Sequence, residues 1–378
     1  MRKTIQILCA AFLLLLVLFP EQCLQAGQIG ITLFFETVFP SLLPFFIGSA
    51  LLVKTGALNS FSRLLEPLMR PLFRCPGDSA YVFAMSIVSG YPVGAKLVSS
   101  LVMDGRMTRS EGLRTLCFSS TSGPLFLMGS IAAGMLRTPA YGVILLLAHY
   151  ISALLCGLIA RFAIRDAVSV EQTSVQPRTN KQPFGMLLKA SVSDSVQTLL
   201  VVGGYIILFS IIIRLLGEIR FLEFLGFLLK PILSLLGFSA SFAEPFASGL
   251  VEMTTGVSLI SAVGAPMAHK AILISFIVSF SGLCIHSQTS AFLSTAGIPN
   301  GRYMLIKLLH GVLAAFLCFA LSSLLSTAQT AFAPLEPGFD AWGAFFWPSL
   351  VVALAVCASM LLILCAYSLF KKKRLLRR

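Results

Sequence analysis

Residues Ser86 to Lys96 read SIVSGYPVGAK, an apolar run broken by Ser89, Gly90, Pro92 and Gly94 and closed by a lysine. Non-helical backbone survives at membrane depth only where protein or a water-filled cavity satisfies its amides and carbonyls, so the break predicts a cavity. Helix N-termini at such a break favour anions through free amides and the helix dipole. Lys96 adds a positive side chain suited to a carboxylate, a role favoured by the cost of intramembrane charge; its alternative is to snorkel to the cytoplasmic face. A second interrupted stretch carries Glu244 and Glu252 around Ser248-Gly249 and Thr254-Thr255-Gly256. A carboxylate there would bind a coupling cation or proton, pair with Lys96, or serve a structural or interfacial role.

Two further strings carry polar groups beside helix breakers. CFSSTSGPLFLMGS offers Ser119, Ser120, Thr121 and Ser122 before Gly123-Pro124, and SFSGLCIHSQTS offers Ser279, Ser281, His286, Ser287, Gln288 and Thr289. Hydroxyls beside a break can line a polar cavity, although in membrane helices they also cap their own backbone or bridge helices. Gln288 can give a substrate two donors and one acceptor, and His286 is either a titrating group or a packing group. The substrate-binding candidates are Ser89, Gly90, Gly94, Lys96, Ser120, Thr121, Ser122, Gly123, Ser248, Gly249, Glu252, Thr255, Ser281 and Gln288, with Glu244 and His286 as coupling candidates. His149 and His310 follow the breaks at matching places, which favours a shared packing role over a proton relay.

The elements that must position these groups are membrane helices. Hydrophobic residues make up 57% of the chain against 11% charged, and apolar stretches of spanning length recur throughout. The net charge of +13 lies in short segments between apolar runs, which reads as cytoplasmic loops and excludes nucleic acid as a partner. The nine cysteines are scattered without a CxxC, so packing is their reading, with no metal and no cofactor implied. No HExxH, GxSxG or Walker loop is present, which argues against an enzyme.

Eight crossings are predicted, near 5–19, 33–53, 113–136, 139–161, 194–216, 268–296, 303–325 and 344–369. Two re-entrant hairpins fall near 80–102 and 240–262, and interfacial helices near 58–75 and 220–238. With both termini cytoplasmic, Lys and Arg divide 22 inside, Lys307 among them, to 5 outside. Features recur at a nearly constant offset: Ser89-Gly90 with Ser248-Gly249 and Ser122-Gly123 with Ser281-Gly282 at 159, and His149 with His310 at 161. Each half holds three crossings, and an odd number inverts the second half, as in secondary transporters whose site lies between broken elements. The domain reading is an N-terminal signal-anchor helix over 1–30, repeats over 31–162 and 191–326, a cytoplasmic linker over 163–190, and a crossing with a basic tail over 327–378.

The strings TVFPSLLPFFIGSALL (37–52), LLEPLMRPLFRCPG (64–77), SGYPVGAKL (89–97), MTRSEGLRTLCFSSTSGPLFLMGSIAAG (107–134) and LLLAHYISALLCGL (145–158) resemble the YlbJ-type sporulation integral membrane proteins, also called stage V sporulation protein V. These carry a nucleoside-recognition gate domain. Tyr91 departs from the family pattern, which has SGFP or SGNP where this chain has SGYP. The resemblance implies a core like that of the concentrative nucleoside transporters. It also implies transport of dipicolinate, made in the mother cell, across the outer forespore membrane. The expectation is an all-α polytopic membrane protein that carries a small anion, alone, as a homo-oligomer or with a sporulation membrane partner. The alternatives are transport of a nucleoside or another small anion, and a non-transporting scaffold.

Overall fold

A computed structural model describes residues 2–55, 58–164 and 183–328, and every regular element among them is helical. Helix α1 (Arg2–Leu18) meets α2 (Pro20–Leu33) at a bend of 101°, where Pro20 starts the second helix. From α2 the chain runs through a π-helical segment, Phe34–Val38, into α3 (Phe39–Lys54). Residues 20 to 32, which lie between two predicted crossings, are therefore helical. Small residues explain this: Gly30 brings α2 so close to α9 (Phe184–Glu218) that a β-carbon would meet the Ile207 backbone at 2.9 Å.

The amphipathic α4 (Leu58–Phe73) and α10 (Phe221–Leu235) stand where interfacial helices are predicted. The first hairpin is α5 (Asp78–Ser89) and α6 (Val93–Met103), joined at Gly90, Tyr91 and Pro92. The second is α11 (Ala243–Val251) and α12 (Met253–Ala262), joined at the single extended residue Glu252. Two broken helices follow their hairpins. In the first, α7 (Arg109–Ser119) ends at Ser120 and resumes as the π-helical Leu125–Met135; in the second, α13 (Met267–Phe280) and α14 (Gly282–Thr295) are hinged at Ser281. Helices α8 (Ala140–Ala163) and α15 (Gly301–Ala328) complete the two halves. The order of long helix, amphipathic helix, hairpin, broken helix and unbroken helix thus occurs twice.

Among the described residues, four elements are long and apolar enough to cross a membrane: α8, α9, the α13–α14 pair and α15, or five with the bent α1–α2 pair. The predicted crossing at 113–136 is split into two short pieces at Ser120–Gly123, that at 33–53 is the later part of a longer helix, and that at 344–369 lies outside the described residues. Polar groups tie both ends of the first hairpin to one end of the bundle. Arg106, after α6, donates twice to the buried Asp78 at the start of α5 (2.9 and 2.7 Å). Close by, Arg70 pairs with Glu111 at 2.8 Å, and Arg114 donates to the carbonyls of Arg74 and Ile164. One basic residue is displaced from its predicted place: Lys307 is on α15 with 0% exposure, not in a cytoplasmic loop.

Candidate functional site

The four breaks meet. Gly90, at φ +74, packs its α-carbon against Gly123, where a β-carbon would come within 3.2 Å of the Gly123 amide. Gly94 lies against the Ser86 hydroxyl and the Ser119 carbonyl. On the other side Gly282, at φ +69, packs on Gly249 and on Val251 and Met253 at the tip of the second hairpin. Both positive-φ glycines are needed because the backbones approach without room for a side chain. The halves are stitched together by the Tyr91 hydroxyl, which donates to the Val278 carbonyl (2.9 Å), and by Tyr303, which hydrogen-bonds the Ser120 hydroxyl (2.8 Å) and sits 5.6 Å from the His286 ring centre.

The backbone freed at the first break is satisfied by side chains from α8 and α15. The Ser122 amide donates to His149 Nε2 (2.9 Å) and the Ser122 carbonyl accepts from the Tyr150 hydroxyl (2.8 Å). The Ser120 carbonyl accepts from Lys307 Nζ (3.0 Å). Because Nε2 of His149 accepts, Nδ1 carries the proton and donates to Ser279 Oγ at 2.7 Å, on the flank of the other break. His149 and His310 therefore hold the two breaks in register rather than merely filling space, and His310 bonds the His149 carbonyl (3.0 Å).

What remains unused is side-chain polarity. The buried hydroxyls of Ser86, Ser89, Ser119 and Thr121 have no hydrogen-bond partner. Neither ring nitrogen of His286 has one; the Phe280 backbone lies near enough for electrostatic attraction but not in hydrogen-bond geometry. Buried polar groups are normally paired, so a cluster of unpaired ones at a convergence of breaks marks a place for a ligand or water. A cleft of about 660 Å³ between α9, α14 and α15 reaches this region and is lined by His286, Ser287, Ser290, Asn300, Tyr303 and apolar neighbours.

The structure brings together Ser89, Gly90, Gly94, Ser120, Thr121, Ser122, Gly123 and Ser281. It does not bring Lys96 there. Two residues along a helix is a turn of about 200°, so Lys96 faces away from Gly94 and its ammonium stands 4.5 Å over the Phe46 ring on α3. The cation at the break is Lys307 instead. Glu252 caps its own helix: its carboxylate accepts from the amides of Thr254 (2.9 Å) and Thr255 (2.7 Å) and from the Thr255 hydroxyl (2.8 Å). The N-terminus of α12 is thus already occupied by an anion, and Thr255 is committed to Glu252. The Ser248 hydroxyl is turned back to the Glu244 carbonyl (3.0 Å), Gly249 serves the contact between hairpin arms, and Glu244 is exposed at the start of α11. Gln288 is buried on α14 with its amide nitrogen 3.4 Å from Cys284 Sγ. The one sequence signal of Lys307, a lone cation three residues before His310 in an apolar run, is masked by its closeness to Arg302.

These features agree with the chain's relatives. The Gate family model, described as nucleoside recognition, matches residues 35–162 and 199–299. The sporulation integral membrane protein YlbJ of Bacillus subtilis (strain 168) is 36% identical over 344 residues, 85% of this chain and 84% of that one. Among solved structures, CNTnw in an inward-facing substrate-bound state shares the fold with a TM-score of 0.51 at 16% identity, over 79% of this chain and 82% of that one. A doubly substituted CNTnw in an outward-facing state gives the same TM-score over 85% of each chain. The chain belongs to the YlbJ family of sporulation integral membrane proteins, with a Gate domain on a concentrative nucleoside transporter fold.

Proposed function

We propose that the protein is a membrane transporter of the sporulating cell that moves dipicolinate, a planar aromatic dianion, from the mother cell across the outer forespore membrane. The observation that carries this reading is the set of unpartnered buried hydroxyls at the four converging breaks, beside a buried cation and without a free carboxylate: Lys307 makes no ion pair among the described residues, while Glu252 is spent on its own helix and Glu244 is exposed. A dianion suits such a site because charge-assisted hydrogen bonds from hydroxyls are stronger than neutral ones. The basic residues around the base of the first hairpin, Arg70, Arg74, Arg106, Arg109 and Arg161, support reading that end as cytoplasmic, with the second half inverted relative to the first. The Gate family description and the buried Gln288 favour a second reading, in which the cargo is a nucleoside.

Binding to the purified protein separates the two. Dipicolinate is expected to raise the unfolding temperature saturably where uridine does not, and Thr121→Val, which removes an unpartnered hydroxyl, is expected to weaken dipicolinate binding about tenfold. Stabilisation by uridine alone, abolished by Gln288→Leu, would establish the nucleoside reading. Stabilisation by neither would favour a scaffold.

A further inference from the structure

Lys307 is a fully buried cation whose surroundings hold no carboxylate within ion-pair distance among the described residues. Its ammonium donates to the Ser120 carbonyl at the C-terminal end of α7 and to His310 Nδ1, each at 3.0 Å, and stands 5.3 Å from the centre of the Tyr91 ring. The bond directions are fixed. His310 Nε2 meets the His149 carbonyl, which can only accept, so Nε2 carries the proton and Nδ1 is free to accept from Lys307. Both ring nitrogens of His149 are likewise spent, one accepting from Ser122 and one donating to Ser279. The three directions of the ammonium therefore end on a carbonyl, an imidazole lone pair and an aromatic face, all of them electron-rich.

An unpaired buried charge is costly, and something must compensate it. Here the partners are the negative end of the α7 dipole, worth about half an elementary charge, and the Tyr91 ring. In broken-helix transporters the unwound carbonyls and the C-terminal ends of half-helices are where small monovalent cations are coordinated. We propose that the Lys307 ammonium is a tethered cation for the first break, filling the position at the end of α7 that a free monovalent cation would otherwise occupy, so that this break holds its shape without a bound metal ion. The first half supports the assignment by contrast: three residues before His149, where Lys307 stands before His310 in the second half, is the buried Leu146, so the charge is a device of one break and not a feature of the repeat. The inference does not depend on which cargo is carried.

Thermal unfolding of the purified full chain in detergent tests it, in sodium, potassium, methylammonium and choline chloride at equal ionic strength. Wild-type protein is expected to unfold at one temperature in all four salts. Lys307→Ala leaves a space at the end of α7, and its unfolding temperature is expected to fall by about 5 °C and to recover at least partly, and saturably, with methylammonium or an alkali cation but not with choline. Saturable stabilisation of the wild type by sodium or potassium over choline would overturn the proposal, as would an alanine variant of wild-type stability or one that no small cation rescues. Should Lys307→Ala fail to fold in every salt, Lys307→Arg and Lys307→Met decide: folding of the arginine variant alone supports a required cation, whereas failure of both, or folding of the methionine variant at wild-type stability, overturns it.

Discussion

The two hairpins occupy matching places in the two halves and are held by opposite means. The first is fastened at its base, by Arg106 on Asp78, and its tip is closed only by the Val93 amide on the Gly90 carbonyl (3.3 Å), with no side-chain cap; Gly90, the cis-linked Tyr91–Pro92 and the start of α6 rest on Gly123 and on the Val278 carbonyl, which belong to other elements. The second is fastened along its length and at its tip. Gly256 and Gly249 bring its arms into backbone contact, and Glu252 closes the turn by capping α12. A hairpin that closes on itself can move as a unit, whereas one whose tip is positioned by neighbours registers what those neighbours do. Under the proposed function, the first tip is therefore expected to respond to a bound cargo and the second to act as a rigid wall.

Substitutions at these fastenings should rank accordingly. The largest effect is expected at Gly256, where a β-carbon would fall inside the van der Waals shell of Gly249; Gly256→Val should prevent the second hairpin from closing, at more than about 4 kcal/mol, and the chain should not be recovered as folded protein. Gly204, with open space around it, is the control, and Gly204→Ala should be tolerated. Next comes the base of the first hairpin. Asp78→Ala removes two charge-assisted hydrogen bonds from the partly buried Arg106, at about 3 kcal/mol, and adding Arg106→Ala should recover part of the loss in denaturant melts. Glu252→Ala should cost about 1 to 2 kcal/mol by uncapping α12; a loss of binding larger than this loss of stability would return Glu252 to the substrate site. The smallest effect belongs to the exposed Lys54–Asp194 pair, where Asp194→Ala should cost under about 1 kcal/mol and vanish in high salt.

Much of this plan is legible in the residue order. Glycine, proline and serine clusters locate both hairpins and both breaks, and the recurrence of Ser-Gly at one offset marks the doubling, because backbone irregularity leaves a compositional trace. Four things are not legible, each for a physical reason. Lys307 lies close to Arg302 and so passes for a loop residue, but α15 begins at Gly301 and carries it about 9 Å into the bundle. Lys96 and Gly94 are neighbours in the string yet point to opposite sides of α6, and only the helix phase separates them. Glu252 reads as a substrate or coupling group because an intramembrane carboxylate is notable in itself; that it is consumed by the amides two and three residues on depends on a single extended residue between two helices. The polar PEQCLQAGQIG hides helix α2 for a related reason, since its small residues are placed for close packing on α9 rather than for contact with lipid.

The central claim, that the converging breaks form the site of an anion carrier, is tested most directly by uptake of labelled dipicolinate into vesicles containing only this protein. Time-dependent, saturable uptake is predicted, inhibited by excess unlabelled dipicolinate but not by uridine, and reduced about tenfold in initial rate at subsaturating dipicolinate by Thr121→Val. Uptake of uridine with none of dipicolinate, or no uptake of either by folded protein, would contradict it.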